Sequence, residues 1–168
     1  YLAYANQVPS RVREENAQYL QAHPEVGLSL YSYHRDGSGV HYSSRKRPVL
    51  NLKPKTIPWS FNADTNLTAW LEHTGLPFDV ITDEDLHLGG PKALDGYSVV
   101  VTGSHPEYFS TSMLNALQTY LDEGGRLMYM GGNGFYWRVA FDPENPSIIE
   151  VRRAEDGTRA WIAEPGEY

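Results

Sequence analysis

The residues most able to do chemistry lie in two short segments. His105 and Glu107 stand one proline apart in Ser104-His105-Pro106-Glu107-Tyr108, directly after an apolar run. Neither belongs to a periodic core pattern. Both follow a buried strand, the position beyond which parallel α/β sheets bind their ligands. A carboxylate here also suits the N-terminus of the following helix, where its charge is favourable. The second segment is Gly131-Gly132-Asn133-Gly134-Phe135-Tyr136-Trp137-Arg138. Asn133 offers an amide donor after a strand, and between glycines it also suits a turn that needs a left-handed backbone. His23, His34, His41, His73 and His87 show no pairing at metal-ligand spacing. Ser104 follows a strand, but Gly103-Ser104-His105-Pro106 is not the Gly-x-Ser-x-Gly elbow of a serine hydrolase.

These segments need elements to carry them. Tyr97–Thr102 is an uninterrupted β-rich run, the pattern of a strand buried on both faces. Ser110 can cap a helix through Met113, Leu114, Leu117, Tyr120 and Leu121, stopped by Gly124-Gly125. Arg126–Met130 reads as the next buried strand. Strand, helix, strand predicts a parallel pair with the helix as crossover, so both segments should follow neighbouring strand ends. Upstream, Pro9–His23 reads as a helix, Asp64 as the cap of another running to about Thr74, Phe78–Thr82 as a short strand and Asp83–Leu86 as a turn of helix. Residues 27–58 read as irregular loop and short strand, turning at Asp36-Gly37-Ser38-Gly39. Ile148–Arg152 and Arg159–Ala163 suggest a hairpin about Asp156-Gly157. The alternation implies an α/β fold, a mostly parallel sheet with helices on both faces.

The 168 residues suffice for one domain with a core. A net charge of -7 argues against sequence-independent nucleic-acid binding, which needs a basic footprint, and against an anionic membrane surface. With no cysteine, disulfides, thiolate metal sites and cysteine nucleophiles are excluded. No run is long enough to span a bilayer and no signal segment opens the chain, so a cytoplasmic location is expected. The chain opens at Tyr1 without a methionine and closes at Glu167-Tyr168, which leads us to expect a fragment of a longer polypeptide.

Residues 104–108 and 131–138, with Tyr1-Leu2-Ala3-Tyr4-Ala5-Asn6, resemble the large, catalytic subunits of N,N-dimethylformamidase over nearly the whole chain. The resemblance implies one class I glutamine amidotransferase-like (flavodoxin-like) domain over residues 1–168, without the cysteine nucleophile of true amidotransferases. It implies iron-dependent hydrolysis of a small N-substituted amide, such as dimethylformamide to formate and dimethylamine. A single ferric iron would be held by two tyrosinates and a glutamate. Carried across, the glutamate is Glu107, with His105 and Asn133 lining the site. Tyr4 is the first tyrosine, with Tyr1 as rival, and Tyr42 the second, with Tyr31 as rival.

Three hard anionic oxygens balance a ferric charge, and iron acting as a Lewis acid would polarise the amide carbonyl. His105 would pass a proton to the departing amine and Asn133 would hydrogen-bond the oxyanion. Phe135, Tyr136 and Trp137 could wall a small apolar pocket. The implied partners are a small amide substrate, a small subunit and a homo- or hetero-oligomer. The alternative is a non-catalytic amidotransferase-like binding domain, which would lack stoichiometric iron.

Overall fold

A computed structural model of the chain describes residues 10–50 and 61–151, and the structural statements here concern those residues. The core is organised by helix α4 (Thr111–Asp122), whose buried Met113, Ala116, Leu117 and Tyr120 recur at helical spacing. Ser110 caps it as the sequence predicts: its Oγ accepts from the Met113 amide at 3.2 Å. Gly124, at φ +91°, turns the chain out of the helix. Helix α3 (Asp83–Gly89) and the short 3-10 helix Gly90–Leu94 supply Leu86 and Leu94 to the same cluster, which Phe109 completes. Thr82 caps α3 reciprocally. Its hydroxyl accepts from the Asp85 amide at 3.1 Å, and its own amide donates to the Asp85 carboxylate at 2.8 Å.

The two β-rich runs pair in parallel, as expected. Strand β2 (Val99–Val101) lies beside β4 (Arg126–Met128) with Val99 opposite Arg126. Tyr120 ties both to α4: its hydroxyl donates to the Tyr97 carbonyl at 3.1 Å and accepts from the Arg126 amide at 3.3 Å. Beyond the ladder, the Met130 amide donates to Thr102 Oγ1 at 2.9 Å. This holds the two strand exits together.

The expected doubly covered parallel sheet, and with it the flavodoxin-like architecture, is not what forms. The β2–β4 pair has two strands of three residues each. One face packs Val100 and Leu127 against the core. The other leaves Val99 and Met128 each 46% exposed, so the run Tyr97–Thr102 is not buried on both sides. Phe78–Thr82 finds no strand partner and lies as irregular chain. Its residues instead line an open cavity of about 380 Å³ between β2 and helix α2 (Phe61–Thr74), where close helix-on-sheet packing would be needed.

The remaining strands form separate sheets. Strand β3 (Tyr108–Phe109) pairs in parallel with β5 (Trp137–Arg138). Strand β7 (Ile148–Glu150) sits antiparallel between β1 (Tyr42–Ser44) and β6 (Ala140–Phe141). The predicted hairpin turn at Asp156-Gly157 lies outside the described residues. Helix α1 (Ser10–Ala22) ends before Pro24 as expected. The turn at Asp36 forms, with the Ser38 amide donating to Asp36 Oδ1 at 3.0 Å. Among the described residues no helix is long and apolar enough to cross a membrane.

Candidate functional site

The segments after β2 and β4 meet because their backbones run side by side. The Phe135 amide donates to the Pro106 carbonyl, Trp137 to Glu107 and Val139 to Phe109, each at 2.9 Å. Within this register, Glu107 is 9% exposed. Its Oε2 lies 2.9 Å from His105 Nε2, and its Oε1 accepts from Asn133 Nδ2 at 3.4 Å. The turn between them is tight, with the Glu107 amide donating back to the His105 carbonyl at 2.9 Å. His105, Glu107 and Asn133 are thus brought to one place.

The loop that delivers Asn133 is strained. Asn133 and Phe135 both adopt positive φ, +49° and +57°. Asparagine tolerates this, whereas a phenylalanine there is held by its surroundings. Its ring stacks on Phe109 at 4.5 Å and on Tyr129 at 6.0 Å. The Tyr129 hydroxyl accepts from the Gly134 amide at 3.0 Å. Phe135 is therefore spent on anchoring the loop, and Tyr136 is 63% exposed.

A buried carboxylate is costly unless paired. Among the described residues the one ion-pair partner of Glu107 is His105, which is charged only when protonated. Such a site suits an added cation, and a hard one, because its donor is a carboxylate oxygen. Among the described residues there is no group of three or more His, Cys, Asp or Glu able to hold a metal. Tyr4 and its rival Tyr1 lie outside the described residues. Tyr42 is described: it is 45% exposed on β1 and lines a crevice with Phe141, Asp142 and Glu150. Its rival Tyr31 is 49% exposed in the preceding loop.

Two features escaped the sequence reading. The cavity between α2 and β2 ends at Thr102, Gly103, His105 and Pro106, so it opens onto the same loop. Asp64, read as a helix cap, instead sits in the first turn of α2 and crosses to that loop, where Oδ1 accepts from the Ser104 amide at 2.6 Å. Forty residues separate the two, and no local pattern signals the contact.

Comparison with known proteins bears on what this arrangement serves. The family described as N,N-dimethylformamidase beta subunit-like, C-terminal, matches residues 1–168. The chain belongs to this family. It is 43% identical over 187 residues to the N,N-dimethylformamidase beta subunit of Paracoccus aminophilus, and 42% identical to that of Alcaligenes sp. Each match covers 100% of this chain and 24% of the relative, so the chain spans about a quarter of their length. The subunit assignment is thereby corrected. Both relatives are named as the beta subunit and the family as beta subunit-like, so the expected assignment to the large catalytic subunit does not stand.

Proposed function

We propose that this chain is part of a subunit of a multi-subunit complex that hydrolyses N,N-dimethylformamide or a similar small amide, and that it contributes the Glu107, His105 and Asn133 site. The observation that carries the reading is the buried Glu107 carboxylate, held on one oxygen by His105 and on the other by Asn133. The 43% identity to a protein named for this activity supports the substrate class. In hydrolysis, water adds to the amide carbonyl and the C–N bond breaks, giving a carboxylate and an amine. In this reading His105, beside Glu107, carries the proton that the departing amine needs. The exposed Asn133 carboxamide spends one N–H on Glu107 and has a second for the developing oxyanion.

The reading includes iron, with Glu107 as its carboxylate ligand. Bound there, a ferric ion would supply Lewis acidity toward the carbonyl. The phenolate ligands, Tyr4 and Tyr42, are carried by the resemblance alone, and the place of Tyr42 on β1 lends them no support. The test is metal analysis and a visible spectrum of the full-length protein in its assembly, beside an assay of amine release from N,N-dimethylformamide. Stoichiometric iron, a phenolate-to-iron band and turnover are expected. Protein that binds no metal and cleaves no small amide would leave a non-catalytic domain in its place.

A further inference from the structure

The geometry points to Asp64 as a positioning residue for the Glu107 site, its carboxylate clamping the turn from which His105 and Glu107 are presented. The inference rests on the function proposed above for its bearing on catalysis. The clamp itself is visible independently. The Ser104 amide, at the exit of β2, donates to Asp64 Oδ1 at 2.6 Å, the short distance of a charge-assisted bond. Gly103 makes the approach possible: a Cβ there would stand 2.9 Å from Asp64 Oδ2. On its other side the same turn is pressed by Gly131, where a Cβ would meet the Ser104 carbonyl and come within 2.7 Å of Pro106 Cδ.

The turn is therefore gripped between α2 and the loop that carries Asn133. Only His105 and Pro106 lie between the clamped Ser104 amide and Glu107, and the Glu107-to-His105 backbone bond at 2.9 Å makes that span stiff. Among the described residues the buried Ser104 hydroxyl has no hydrogen-bond partner. A polar group left in that state persists where the surroundings fix the turn. The ordinary use of an acidic residue in a first helical turn is to offset the helix dipole. That use needs no contact with Ser104.

The experiment compares wild type, Asp64→Ala and Asp64→Asn in the full-length protein in its native assembly. The asparagine keeps an acceptor oxygen in the same place, and the alanine keeps none. Hydrogen exchange is followed over residues 103–107 and over residues 67–74 of α2, with kcat and KM for N,N-dimethylformamide. Asp64→Ala should exchange faster over residues 103–107 with α2 unchanged. Its kcat should fall about 10- to 100-fold, the scale of a misplacement of about 1 Å, with KM little altered. Asp64→Asn should recover most of both.

Unchanged exchange over residues 103–107 in Asp64→Ala would overturn the clamp. Faster exchange with wild-type kcat would overturn the positioning role, as would a loss of kcat that only tracks a loss of folded protein. If wild type itself cleaves no amide, the proposed function fails, and the exchange arm alone decides the clamp.

Discussion

Replacing Gly131 by alanine tests how tightly the two site segments are pressed together. A Cβ at Gly131 would stand 2.7 Å from Pro106 Cδ and closer still to the Ser104 carbonyl. Carbon atoms rest at about 3.5–4.0 Å, so the methyl group arrives about 1 Å too near. Its neighbours are backbone and a proline ring, which cannot swing aside as a flexible side chain would. The loops must separate, and overpacking of this kind costs about 1–3 kcal/mol. The same displacement falls between Glu107 and Asn133, whose 3.4 Å contact has no slack. A 1 Å error in a working site lowers turnover by about 100-fold. Gly132 is the internal control, because a Cβ there meets nothing within 4 Å. Urea unfolding and the amide-hydrolysis assay on both variants give the answer. Gly131→Ala should lose midpoint and turnover while Gly132→Ala keeps them. A Gly131→Ala protein with wild-type stability and activity would refute the close approach of the two loops.

Two further outcomes follow from the core. Tyr120→Phe removes the hydroxyl that joins Tyr97 to Arg126 and should cost about 1–2 kcal/mol in denaturant unfolding, with no change in secondary structure by circular dichroism. His87 makes stability depend on pH. Its Nδ1 lies 2.7 Å from Ser110 Oγ and its ring stacks on Phe141 at 4.2 Å. Burial holds its pKa below the ordinary 6.5. The unfolded chain then takes up the proton first, so the His87 contribution is fully present above about pH 6.5 and is lost as pH drops below it, toward the lowered folded value. His87→Gln, which cannot titrate, should flatten that slope in unfolding curves measured between pH 7.5 and 5.

How much of this could be read from the sequence depended on how local the causes were. The α4 cap at Ser110 and its glycine stop depend on residues within one turn of each other, and both formed as read. The meeting of residues 104–108 with 131–138 followed from strand–helix–strand order alone. The doubly covered sheet did not follow, because covering is a tertiary fact. The apolar run at Val99–Val101 looks the same whether one face or two are packed, and here Val99 faces outward. Phe78–Thr82 has strand-like composition, yet a strand needs a neighbour in register and among the described residues this one has none. Asp64 sits where a cap would be expected, but α2 begins at Phe61 and the carboxylate is turned toward Ser104.

The account stands most directly on Glu107. Glu107→Gln keeps the shape of the side chain and its bond to Asn133 through a carbonyl oxygen, and removes only the charge. In the full-length assembled protein, bound iron and kcat/KM for N,N-dimethylformamide should be measured together on wild type and this variant. The account predicts iron and turnover in wild type, with both lost from a Glu107→Gln protein that still folds. A variant that keeps its iron and its activity would contradict it.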